Sequence, residues 1–97
     1  MYALAVLRYR KPMEEVMQIL EQHREYLRGL KEAGILLASG PLNPRSGGAL
    51  LLRVSDEDST AALDRIRDED PFTQNGCAQY ELLAWNPVIG RDDLDRL

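Results

Sequence analysis

Hydrophobic and polar positions along the chain follow two different periods, and the switches between them divide it into six elements. Tyr2 to Tyr9 has the two-residue period of a strand, with Tyr2, Leu4, Val6 and Arg8 on one side and Ala3, Ala5, Leu7 and Tyr9 on the other. Both sides are mostly apolar, which predicts a strand covered on both faces. From Pro12 to Ala33 the period becomes helical. Met13, Val16, Leu20, His23, Leu27 and Leu30 follow one another at gaps of 3, 4, 3, 4 and 3 residues. Positions so spaced share one face of a helix, so His23 is expected on the stripe that turns to the core, opposite Glu14, Gln18, Glu25 and Arg28. Pro12 suits the first helical turn and Gly34 the left-handed cap that ends the helix.

Ile35 to Pro41 reads as a second strand and Ala49 to Val54 as a third. The Asn43–Gly48 segment between them is rich in turn formers and short enough to favour an antiparallel hairpin, with Gly40-Pro41 and Gly47-Gly48 as turn signals. Ser55 or Asp56 can cap a second helix whose core side is Ala62, Leu63 and Ile66. It must end near Asp68, because Pro71 excludes helical geometry at Asp70. Gln79 to Asn86 is the last strand, alternating Tyr80, Leu82 and Ala84 with Glu81, Leu83 and Trp85. Val88 to Leu97 is charged with few anchors, and no element is expected there. One domain over residues 1–87 with a tail at 88–97 is the resulting organisation.

The order strand, helix, strand, strand, helix, strand is that of two split βαβ units. It predicts an α+β, ferredoxin-like βαββαβ fold, a four-stranded antiparallel sheet with both helices on one face. The other face is then apolar and uncovered, which implies a second copy packed against it as a homodimer.

Composition narrows the function. The 97 residues carry a net charge of −4, with no basic stripe to replace phosphate counterions, which argues against nucleic acid and an anionic membrane surface. One cysteine, Cys77, excludes an internal disulfide, and one histidine leaves no clustered metal-ligand spacing, so no metal is expected. The chain shows neither a basic segment followed by a long apolar run nor a run long enough to span a bilayer. A cytoplasmic setting is the default expectation.

A titratable ring on a buried stripe needs a polar partner, since an unpaired buried polar group costs roughly 1–3 kcal/mol. The candidate is Asp70, in Asp70-Pro71-Phe72. The structural alternative is a core histidine bonded to a backbone carbonyl, with Asp70 a turn residue before proline.

Three segments together resemble the YCII-related (YciI-like) domain family. They are Glu21-Gln22-His23-Arg24-Glu25-Tyr26-Leu27, Gly34-Ile35-Leu36-Leu37-Ala38-Ser39-Gly40-Pro41-Leu42, and Asp68-Glu69-Asp70-Pro71-Phe72 with Gly76 beyond it; Trp85 also fits. The resemblance covers nearly the whole chain. It implies a ferredoxin-like subunit that pairs into a dimeric α+β barrel, and a small pocket in which a histidine and an aspartate, here His23 and Asp70, form the active site. A relative with this domain removes chloride from a chlorinated hydroxyquinol, and a similar barrel hosts muconolactone isomerisation. The long loop that some relatives carry between the second and third strands is short here.

Two functional readings follow. The first is a cofactor-independent lyase or isomerase acting on a small oxygenated or aromatic acid, by proton transfer or halide elimination. Asp70 would fix one ring nitrogen of His23, leaving the other to act as general base or acid. Hydride transfer does not fit, because no phosphate-cradling glycine motif is present. The second is a non-catalytic module, the same dimer binding a small ligand or serving as an accessory subunit. A haem- or quinone-handling monooxygenase is a weaker third, since only His23 could ligate haem. The first two differ in one geometric expectation: a catalytic His23 reaches both Asp70 and an open cavity, whereas a structural one is sealed by apolar neighbours. Candidate substrate-binding residues are Ser39 at a strand end, Arg8 as an attractor of an acidic substrate, and Tyr9. Tyr26 is a similar case, Phe72 and Trp85 read as core or interface, and Cys77 lacks a histidine to activate it.

Overall fold

The computed structural model describes residues 1–97. Strands β1 (Tyr2–Tyr9), β2 (Leu36–Pro41), β3 (Gly47–Arg53) and β4 (Ala78–Trp85) form one antiparallel sheet in the order β2-β3-β1-β4. Helix α1 (Met13–Glu32) joins β1 to β2. After a one-turn 3-10 segment at Asp56–Asp58, α2 (Ser59–Glu69) and α3 (Pro71–Gln74) lead into β4, and α4 (Arg91–Asp95) closes the chain. The fold is the ferredoxin-like α+β arrangement. The first strand is a central one, which explains its apolar content on both sides. Ala3, Ala5 and Leu7 are buried under the helices, whereas Leu4 and Val6 on the reverse face are half-exposed.

The main core joins Ala3, Ala5, Leu7, Leu50 and Leu52 of the sheet to Val16, Leu63, Ile66 and Phe72 of the helices. In α1 only Val16 and His23 are fully buried. Leu20, Leu27 and Leu30 are partly covered and Met13 is exposed, so the stripe points as its spacing predicts but is shallow at its start. Gly34, at φ +78°, ends the helix. Its N–H donates to the Lys31 carbonyl at 3.1 Å while the Ile35 N–H donates to the Leu30 carbonyl at 3.0 Å, the paired bonds of a Schellman cap.

Two expectations need correction, on Gly47-Gly48 and on the tail, and one unassigned stretch carries an element. Asp70 is extended (φ −69°, ψ 127°), as Pro71 requires, and the chain then re-enters a helical turn before the last strand. Pro71 occupies the first position of α3, where its fixed φ is already helical and no N–H is needed. Gly47 and Gly48 are not turn residues. They begin β3, paired with Arg8 and Leu7. A Cβ on Gly47 would lie 1.7 Å from the Leu7 carbonyl oxygen, so only glycine permits that approach. The tail is ordered: α4 lies beside the sheet end, where the Tyr2 hydroxyl donates to Asp95 at 2.6 Å and Arg53 donates to the Leu94 and Leu97 carbonyls. No helix is long and apolar enough to cross a membrane.

Candidate active site

Two elements converge to build the site. The α1 stripe carries His23 inward, and the break between α2 and α3 carries Asp70 to meet it. His23 Nδ1 lies 2.8 Å from Asp70 Oδ1; the histidine is 7% exposed and the aspartate 0%. The same Oδ1 accepts the Phe72 backbone N–H at 2.8 Å, so the side chain that caps α3 is also the one that holds the imidazole. The Tyr80 hydroxyl, reaching down from β4, donates to Oδ2. Three donors converge on one carboxylate, an arrangement suited to the ionised form, which only accepts. A carboxylate that only accepts calls for a proton on Nδ1 of His23, which assigns Nε2 as the ring nitrogen not engaged by Asp70.

The ring is fixed by packing as well. Phe72 stacks on the imidazole with centroids 3.9 Å apart and planes within 8°, and Tyr9 meets Phe72 edge-on at 5.9 Å. Burial and the neighbouring Asp70 carboxylate, which also takes its hydrogen bond, push the Tyr80 phenol well above the usual tyrosine range. Burial, with Glu69 and Asp70 beyond it, raises the Tyr26 phenol in the same direction, and its hydroxyl donates to the Ile66 carbonyl at 2.8 Å.

Nε2 makes no hydrogen bond within the protein and is not sealed from solvent. His23 forms part of the wall of a cavity of about 260 Å³ bounded by α1, β2, β3 and Phe72. Leu7, Leu20, Leu27, Leu50 and Phe72 give it an apolar wall, and Tyr9, Ser39, Arg24 and Arg45 are among its polar residues. The volume lies just under the range of roughly 300–1,000 Å³ usual for drug-sized ligands, which suits a single ring.

The predicted residues therefore divide. His23, Tyr9 and Ser39 line one cavity, with Asp70 buried behind the histidine. Arg8 does not join them. Strand alternation puts it on the reverse face of β1 from Leu7 and Tyr9, where it pairs with Glu81 at 3.0 Å. Trp85 lies on that reverse face too, opposite Tyr2 and 40% exposed, whereas Phe72 is core. Cys77 is buried and apart from the cavity. Three residues of the site went unread in the sequence. Tyr80 had a signal, because a phenol on the inward side of a strand needs a partner. Arg24 and Arg45 line the cavity with no comparable mark, since an arginine on a helix flank or in a loop is ordinarily a solvated charge.

Comparison with known proteins decides the family. The sequence pattern of the YCII-related domain matches residues 1–86. The chain belongs to the YCII-related family. Among solved structures, this YCII-related chain is similar to 5-chloro-2-hydroxyhydroquinone dehydrochlorinase (TftG) from Burkholderia phenoliruptrix AC1100 in complex with 2,5-dihydroxybenzoquinone. The match has a TM-score of 0.72 at 20% sequence identity and covers 91% of this chain and 96% of that one, a likeness of fold. No curated protein sequence matches this YCII-related chain.

Proposed function

We propose that the protein is a cofactor-independent lyase or isomerase that moves a proton on a small oxygenated or aromatic acid. The observation that carries this reading is the 2.8 Å contact between a buried carboxylate and an imidazole that lines an open cavity. In this reading Asp70 orients His23 and stabilises its protonated form, and Nε2 takes a proton from the substrate. In an isomerisation the imidazolium returns the proton to another carbon. In a dehydrochlorination the electron pair released by deprotonation drives out chloride with the C–Cl bonding pair, and the proton leaves separately from His23. A positioned base of this kind contributes roughly 10²–10⁴ in rate.

The fold likeness to a dehydrochlorinase chooses the first substrates to test: 5-chloro-2-hydroxyhydroquinone, followed by a panel of hydroxylated quinones and cyclic acids. Chloride release is read with an ion electrode, and uptake of solvent deuterium by proton NMR. The native protein should turn over at least one member, and His23→Asn should lose roughly 10²–10⁴ of that rate while keeping its fold. Turnover unchanged in His23→Asn overturns the assignment; ligand binding without any turnover favours the binding-module reading. We also propose that two copies pair through the reverse face of the sheet, where Leu4 lies in register with Leu51 and Leu83 and Val6 follows two residues along β1.

A further inference from the structure

The cavity differs in charge from the rest of the molecule. The chain carries 16 acidic residues against 12 basic ones. No aspartate or glutamate lines the cavity, whereas Arg24 and Arg45 both do. These two are also distinct among the arginines. Arg8, Arg10, Arg28, Arg53, Arg65, Arg67, Arg91 and Arg96 each donate a hydrogen bond to an acceptor within the protein. Arg24 and Arg45 donate none; the nearest carboxylate to Arg24 is Glu21, at 3.9 Å, beyond hydrogen-bond reach. The two guanidinium groups whose donors the fold leaves unused thus flank the same cavity, one from α1 beside His23 and one from the β2–β3 connection.

The geometry points to a cyclic monocarboxylate as the ligand of this cavity, with Arg45 and Arg24 as the residues that hold its acid group. The assignment rests on the proposed proton-transfer reading for what happens to the ligand, but not for its binding. A guanidinium presents a planar fork of donors that matches a carboxylate. Leu7, Leu20, Leu50 and Phe72 offer dry surface to a ring, and the volume of about 260 Å³ limits the ligand to one. With the carboxylate at the arginines, the body of the ring faces Nε2 of His23. The role foreseen for Arg8 therefore passes to two residues on the helix-covered side of the sheet.

The test uses the full chain, with benzoate and its neutral analogue benzamide as probes, titrated by calorimetry and by amide chemical shifts. Benzoate should bind at least about tenfold more tightly than benzamide at low salt, with the shifts centred on the cavity, and the preference should shrink as salt is raised. The double variant Arg24→Gln/Arg45→Gln should abolish the preference while melting like the native protein, because both side chains are exposed. Equal binding of the two probes, an undiminished preference in the double variant, shifts centred elsewhere, or no saturable benzoate binding below about 10 mM each overturn the inference. Inorganic phosphate competing as strongly as benzoate would overturn the ring part of it. The ratio is measured without turnover, so the two claims fail separately. A preserved ratio with no substrate turned over removes only the proton-transfer reading, and a lost ratio with His23-dependent turnover intact removes only this one.

Discussion

Asp70 has no contact with solvent, and its two oxygens meet three donors: the His23 ring, the Phe72 backbone N–H and the Tyr80 hydroxyl. Removing one partner of a buried set leaves the rest unsatisfied, which costs roughly 1–3 kcal/mol. Tyr80→Phe should therefore lower stability by about that amount in urea melts, with the cavity wall intact. If Tyr80 also steadies the dyad, the variant should lower kcat and leave KM unchanged. The raised phenols give a pH signature. In the folded state Tyr80 and Tyr26 keep their protons above the usual tyrosine value of about 10, whereas the unfolded chain loses them there. Above that pH the unfolded state binds fewer protons than the folded one, so stability falls as pH rises, and below it these groups contribute no slope. Urea midpoints should be level from about pH 8 to about pH 10 with respect to these groups and drop beyond. Tyr80→Phe should flatten part of that drop.

Among the elements, the α2–α3 break does the most for the site. A continuous helix through Asp70 would have turned its side chain with the helix and left no free first turn for it to cap. Pro71 forbids that and frees the carboxylate to cap the next turn and reach α1. The start of β3 is the other critical junction. Gly47→Ala would drive a Cβ into the Leu7 carbonyl, an atom of the central strand that has no room to move. A loss of roughly 1–3 kcal/mol is expected from such overpacking, read as a lower urea midpoint. Because Gly47 also lines the cavity, benzoate binding should weaken in the same variant.

For the whole molecule, the sheet is covered by α1 and α2 on one face only. The reverse face exposes Leu83 at 42% and Trp85 at 40%. Light scattering should return about twice the 11.0 kDa chain mass, and Leu83→Lys on that face should return the monomer mass. A native protein that scatters as a monomer at micromolar concentration would remove the pairing proposal. The ordered tail bears on the same face. It anchors through Tyr2 and Arg53 at the sheet end and leaves Val88 and Ile89 exposed, at 78% and 99%.

Periodicity determined the order of the four strands and two main helices and the inward turn of His23, and the short turn-rich loop before β3 gave the antiparallel hairpin. The order and the inward turn follow from the fixed 3.6- and 2-residue repeats of helix and strand, which any local stretch displays. The break at Asp70 was equally local, since it follows from the ring of Pro71. The His23–Asp70 bond spans 47 residues and was legible only through the Asp70-Pro71-Phe72 motif and the family resemblance, not through any repeat; Tyr80, which joins it from a third element, was not read at all. Which side of β1 faces the cavity, and so the exclusion of Arg8 in favour of Arg24 and Arg45, depended on where the helices settled. Both faces of that strand are apolar, and a two-residue alternation carries no information about which one will be covered. The ordered tail was hidden for the same reason: its hold comes from Tyr2 and Arg53, distant residues that only the folded chain brings within reach.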